Sequence, residues 1–123
     1  MIGRILVVED DLWSRRIVID LLEMRGHQVL VATGVDEARA LLAEQPHVVL
    51  LDIHIPGGGG ELLLHEIRAT EALAKLPVIA FTASAMHGDR ERFLRLGFTS
   101  YLSKPIDVVS FGAAIEEHLV EAR

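Results

Sequence analysis

Four short stretches each set a chemically competent residue at the end of an apolar run. Glu9-Asp10-Asp11 follows ILVV, Asp52 follows VVLL, Thr82 follows VIAF, and Lys104 closes YLSK. Carboxylates about 4 Å apart repel by roughly 4 kcal/mol at an effective dielectric near 20. A cluster of Glu9, Asp10 and Asp52 is therefore costly unless a cation sits in it. Hard oxygen donors with room for several waters favour Mg²⁺. Lys104 and that ion would neutralise the oxygens of a phosphoryl group, and Thr82 could donate a hydrogen bond to one of them. Asp52 would then be the carboxylate nucleophile, giving an acyl phosphate. A lone acid after a strand is ordinarily a cap or a turn, but all four positions gain a role together if the ligand is a phosphoryl group.

The elements that must position these residues alternate along the chain. Ile5–Val8, Val29–Ala32, Val48–Leu51, Val78–Phe81 and a weaker Tyr101–Leu102 are too uniformly apolar for a half-exposed sheet, so they read as parallel strands covered on both faces. Between the first two, Ser14, Ile17, Val18, Leu21 and Leu22 form one helical stripe, which Gly26 ends. Further helices are expected over Val35–Ala43, stopped by Pro46; over Glu61–Ala69, with Leu62, Leu63 and Ile67 inward; over Asp89–Leu96, closed by Gly97; and over Val108–Ala122. The product is a βαβαβαβαβα chain: an open, doubly wound α/β fold with a five-stranded parallel sheet and helices on both faces. Ligands of such sheets bind beyond the carboxyl ends of the strands, where all four stretches converge. No glycine-rich turn follows the first strand, which argues against a dinucleotide.

Composition narrows the function classes. A chain of 123 residues, half of them apolar, suits one domain over 1–123 with a real core. Its formal charge of −6 and the lack of a basic run argue against nucleic acid. The N-terminal MIGRILVVEDD has too short an apolar run for a signal peptide or membrane span, and cysteine is absent, which rules out disulfides and thiolate zinc sites. A cytoplasmic setting is expected. The six histidines show no metal-ligand spacing; His118 reads as a solvated helix residue, and Trp13 as a surface residue beside the crevice.

The loop after the third strand leaves two residues in competition. Asp52-Ile53-His54-Ile55-Pro56-Gly57 is an Asp-x-His-x-x-Gly pattern, which resembles a cobalamin-binding loop with His54 as the metal ligand. Such a loop should follow the first strand of its own domain. Ser100-Tyr101-Leu102 mimics the next element of that family, but no paired glycines follow it. A Mg²⁺-dependent aspartyl phosphohydrolase is another alternative. It would place a general acid two residues after its nucleophile, here His54, and would need a substrate-binding cap.

Nearly end to end, the sequence resembles the response-regulator receiver domain of two-component signalling. ILVVEDD looks like that family's acidic-pair strand, VVLLDIHIPG its phospho-acceptor strand and loop, VIAFTASA its hydroxyl strand, and YLSKPI its switch aromatic and lysine. The resemblance implies a CheY-like, flavodoxin-like (βα)5 fold, Asp52 as phospho-acceptor, and Thr82 and Lys104 as its catalytic partners. It further implies Mg²⁺ held by Glu9, Asp10, Asp52 and the backbone carbonyl of His54, with Asp11 just outside. Thr82 and Tyr101 would form the switch, and Lys104-Pro105 a cis peptide. Ser84, two residues after Thr82, would border the phosphoryl group. The implied donor is a histidine kinase or histidine phosphotransfer protein. The output is a protein target docking on a surface that includes Arg90, Leu94, Ser103, Ile106 and Ala114. The implied protein is a monomer or weak dimer, and no enzyme beyond its own phosphotransfer and autodephosphorylation. MHGDRERFLRLGFTSYLSKPIDVVSF looks most like DivK-type single-domain regulators, with Met1 two residues from the first strand and no output domain. One departure is Gly59, where the family usually has an acid or asparagine as a helix cap.

Overall fold

The computed structural model describes residues 2–57, 59–83 and 89–121, apart from the side chains of the last two. The elements run β1 (Arg4–Val8), α1 (Leu12–Met24), β2 (Gln28–Ala32), α2 (Val35–Leu41), β3 (Val48–Asp52), α3 (Gly59–Ala69), β4 (Val78–Thr82), α4 (Asp89–Leu96), β5 (Ser100–Ser103) and α5 (Phe111–Glu121). Short 3₁₀ turns, Leu42–Glu44 and Glu71–Leu73, follow α2 and α3.

All strands pair in parallel, in the order β2-β1-β3-β4-β5. Every residue of β3 and β4 is buried, because helices cover both faces; the edge strands β2 and β5 are only partly buried. Alternate side chains feed two cores. One contains Leu6, Val49, Leu51 and Ala80 packed with Leu63, Ile67 and Phe93 from α3 and α4. The other contains Ile5, Val7, Leu50 and Phe81 packed with Val18, Leu22, Phe111 and Ile115 from α1 and α5.

Several local expectations change, among them Ile17 of the α1 stripe, which is exposed. Leu62 is exposed and Leu64 is buried, because α3 begins at Gly59 and its inward stripe is Gly60, Leu63, Leu64 and Ile67. The fifth helix starts at Phe111: Asp107 turns the chain first, its carboxylate accepting from the Val109 N–H at 3.1 Å and its carbonyl from the Phe111 N–H at 3.0 Å. Its expected end, Ala122, lies outside the described residues. His118 is buried rather than solvated, with Nε2 3.0 Å from the Ser100 hydroxyl.

Candidate functional site

The order β2-β1-β3-β4-β5 reverses direction between β1 and β3, so the exits of those two strands border one crevice. Glu9 and Asp10 leave β1, Asp52 is the last residue of β3, and Thr82 the last of β4. The register sets Asp52 beside Phe81 and Thr82 beside Ser103, which brings Lys104 to the same end; the Lys104 N–H donates to the Thr82 carbonyl at 2.8 Å. The Lys104-Pro105 peptide is cis.

The acids do cluster. One carboxylate oxygen each from Glu9, Asp10 and Asp52 lies within 4.8 Å of the others. Glu9 and Asp52 are buried, and Asp10 is exposed at the rim. Lys104 Nζ stands 2.5 Å from Glu9 Oε1 and 3.1 Å from Asp52 Oδ2, and also lies 4.9 Å from the centre of the Phe81 ring. The other Asp52 oxygen, Oδ1, accepts from the His54 backbone N–H at 2.9 Å. Asp11 faces away and caps α1, accepting from the Ser14 N–H at 2.9 Å.

Electrostatics report the crowding. Burial, followed by the hydrogen bond with Asp52, pushes the Glu9 carboxyl up to about 7, and Lys104 only partly offsets this. Burial also pushes Asp52 upward, but Glu9, the His54 N–H and Lys104 outweigh it and hold Asp52 below the usual aspartate value. For Lys104, burial is outweighed by the two carboxylates, and its ammonium is held above the ordinary value. Glu9 Oε1 is fully buried and ion-paired with Lys104, and among the described residues no hydrogen bond of good geometry satisfies it. Three carboxylates against a single ammonium, with a buried oxygen short of a hydrogen bond, fit a small hard cation that keeps some of its water.

Thr82 is buried at the β4 exit. Tyr101 is half-buried, its ring 5.7 Å from that of Phe93 in α4, so it links the strand beside Thr82 to a surface helix. The His54 side chain is exposed, unlike the buried Asp52. Ser84 lies outside the described residues. Arg90 and Leu94 lie exposed on α4, Ser103 is exposed at the end of β5, and Ala114 is half-buried on α5. Ile106 packs in part against the α1/α5 core. Trp13 is 75% exposed.

Two contributors carry no motif signal. Gly60 packs its backbone against Asp52 and Ile53, and Arg15 Nη1 donates to the carbonyls of Glu9 and Asp10. Neither follows from periodicity, since one depends on a missing side chain and the other on backbone acceptors.

Comparison with known proteins agrees with this geometry. Residues 5–116 match the family described as response regulator receiver domain. The chain is 35% identical to the polar-differentiation response regulator DivK of Brucella ovis, over 99% of this chain and 100% of that one. Among solved structures it is similar to the receiver domain of the sensor histidine kinase PA1611 from Pseudomonas aeruginosa, which has a magnesium ion coordinated in its active-site cleft. That match has a TM-score of 0.86 and 29% identity, covering 98% of this chain and 99% of that one. The chemotaxis response regulator CheY4 of Vibrio cholerae shares the fold, with a TM-score of 0.87 at 20% identity over 96% of this chain and 99% of that one. Sheet order, acid cluster and sequence relationship agree: this chain belongs to the response regulator receiver domain family of two-component signalling.

Proposed function

We propose that the chain acts over 1–123 as one receiver unit in which Asp52 accepts a phosphoryl group from a phospho-histidine. The observation that carries this reading is the setting of the Asp52 carboxylate: Oδ1 held by the His54 N–H, Oδ2 held by Lys104, and Glu9 packed alongside. It is buried and held through both oxygens at the exit of β3, whereas the His54 ring is exposed.

In the transfer, an Asp52 oxygen forms a bond to phosphorus as the bond from phosphorus to the donor imidazole breaks. The electron pair leaves with the imidazole, which takes up a proton from solvent. Glu9, Asp10, Asp52 and the His54 carbonyl are the residues that would hold Mg²⁺, whose chemistry is to neutralise the negative charge around the transferring group. Lys104 moves its charge from the two carboxylates to a phosphoryl oxygen, and the Thr82 hydroxyl donates to another. Drawing Thr82 inward opens space that the Tyr101 ring can enter, and this alters the margin formed by α4, β5 and α5.

Arg90, Leu94, Ser103, Ile106 and Ala114 belong to that margin, where a downstream protein docks. The phosphoryl donor is a histidine kinase or histidine phosphotransfer protein in the cytoplasm. The chain works as a monomer or weak dimer, and no separate substrate is turned over. Among the described residues, no helix is long and apolar enough to cross a membrane.

Intact-mass measurement with acetyl phosphate and Mg²⁺ tests the reading. One added phosphoryl group on the wild type, lost in Asp52→Asn and in excess chelator, is expected. Equal labelling of the variant would overturn Asp52 as acceptor.

A further inference from the structure

Arg15 stands outside the charge pairing of the crevice yet grips its frame. It lies one turn into α1, half-buried, and its Nη1 donates to the carbonyls of both Glu9 and Asp10, each at 3.3 Å. Nearby in α2, the Glu37 carboxylate accepts from the Thr33 N–H at 2.9 Å and also pairs with the Thr33 hydroxyl. Those Thr33 hydrogen bonds hold the Glu37 carboxyl below its ordinary value, and the charge of Arg15 adds to the effect. The neighbouring backbone is tied as well: the Glu9 N–H donates to the Ala32 carbonyl at 3.0 Å, and the Asp11 N–H donates to Glu9 Oε2 at 3.3 Å. Arg15 thus ties two consecutive carbonyls of the turn after β1.

We propose that Arg15 is a positioning residue for the metal-binding acid pair: by capturing two consecutive carbonyls it fixes the peptide planes of Glu9 and Asp10, and so the directions in which their carboxylates leave the chain. This inference rests on the reading that Glu9 and Asp10 hold Mg²⁺. The alternative is that Arg15 acts only as a nearby charge, and the two roles predict opposite signs. A cation beside a divalent-ion site repels the ion, so deleting a mere charge tightens binding. Deleting a positioning residue lets the turn relax and weakens binding, even though the repulsion is gone.

The experiment is calorimetric titration of MgCl₂ into the metal-free protein, comparing wild type with Arg15→Met, Arg15→Lys and Arg15→Gln. Denaturant melts serve as a folding control. Arg15→Met is expected to bind Mg²⁺ about fivefold to tenfold more weakly, on the scale of one ordinary hydrogen bond. Arg15→Lys and Arg15→Gln, which keep a donor with and without the charge, should each recover part of that loss. Recovery by the neutral glutamine is what a charge-only role would not give. Arg15→Met binding as tightly as wild type or more tightly would overturn the proposal. Should wild type and the control Glu9→Gln both fail to bind Mg²⁺, the acid site itself would be the wrong assignment, and the role of Arg15 falls with it.

Discussion

A Cβ on Gly60 would stand 2.8 Å from the carbonyl oxygen of Asp52 and 2.8 Å from Cα of Ile53. The first turn of α3 is therefore seated directly on the exit of β3, and the Gly60 N–H fastens it by donating to the Ile53 carbonyl at 3.0 Å. No other residue type fits without moving Asp52. Gly60→Ala should lose about 1–3 kcal/mol, as overpacking against a backbone does, and should slow Asp52 phosphorylation beyond the loss of folded protein. Denaturant melts paired with acetyl-phosphate labelling measure both; unchanged labelling would show that the acceptor does not depend on this contact.

Glu9 bears the cost of the acid cluster, because it is buried with one oxygen short of a hydrogen bond while Asp10 is exposed. Glu9→Gln keeps the shape and removes the charge. It should stabilise the metal-free protein by about 1–2 kcal/mol and abolish the added stability conferred by Mg²⁺. Asp10→Asn should stabilise less, since water already screens it. Melts with and without Mg²⁺ decide the order. A metal-free Glu9→Gln protein weaker than wild type would mean that the ion pair with Lys104 outweighs the crowding.

On the far side of the molecule, Arg25 lies across α5 where Gly112 leaves room; a Cβ there would collide with its side chain. Arg25 reaches Glu116 through two bonds of 2.7 Å, and the His27 ring meets Glu116 at 2.8 Å while its Nδ1 accepts from the Gly3 N–H at 3.0 Å. The hydrogen bond from Arg25, opposed by partial burial and reinforced by His27, brings the Glu116 carboxyl from 4.5 down to about 2. A depressed carboxylate contributes stability above its unfolded value, and that contribution is lost as pH falls through the folded value. Glu116→Gln should therefore be less stable than wild type at pH 7, by about 1 kcal/mol after solvent screening of the half-exposed Arg25. The gap should narrow between pH 4.5 and 2. A gap that stays constant with pH would assign the loss to packing alone.

The alternation of apolar runs and helical stripes was legible because sheets covered on both faces leave no polar positions to blur it. Asp52, Thr82 and Lys104 were legible for a related reason: a parallel sheet delivers every strand exit to one side, so sequence position translates into spatial convergence. The inward face of α3 was misjudged because the start of the helix depends on Gly59 and Gly60, whose placement follows from close packing rather than hydropathy. The burial of His118 depends on a partner, Ser100, that lies 18 residues earlier and on another element. Gly60 and Arg15 act through backbone atoms, which no side-chain pattern records.

His54 shows the same distinction between backbone and side chain in the loop after β3. Its N–H holds Asp52 Oδ1 at 2.9 Å, and its ring is exposed. His54→Ala preserves the N–H and the carbonyl and deletes only the imidazole. The variant should therefore bind Mg²⁺ within about twofold of wild type and accept one phosphoryl group on Asp52 at a similar level, because a backbone ligand and a backbone donor survive the substitution. What can change is the decay of the acyl phosphate, since an exposed imidazole beside it can orient or obstruct water. Following decay in both proteins separates these effects. Identical curves would confine His54 to its backbone role. A large loss of Mg²⁺ affinity would mean that the ring itself holds the metal, and the chemistry of the loop would pass from the aspartate to the histidine.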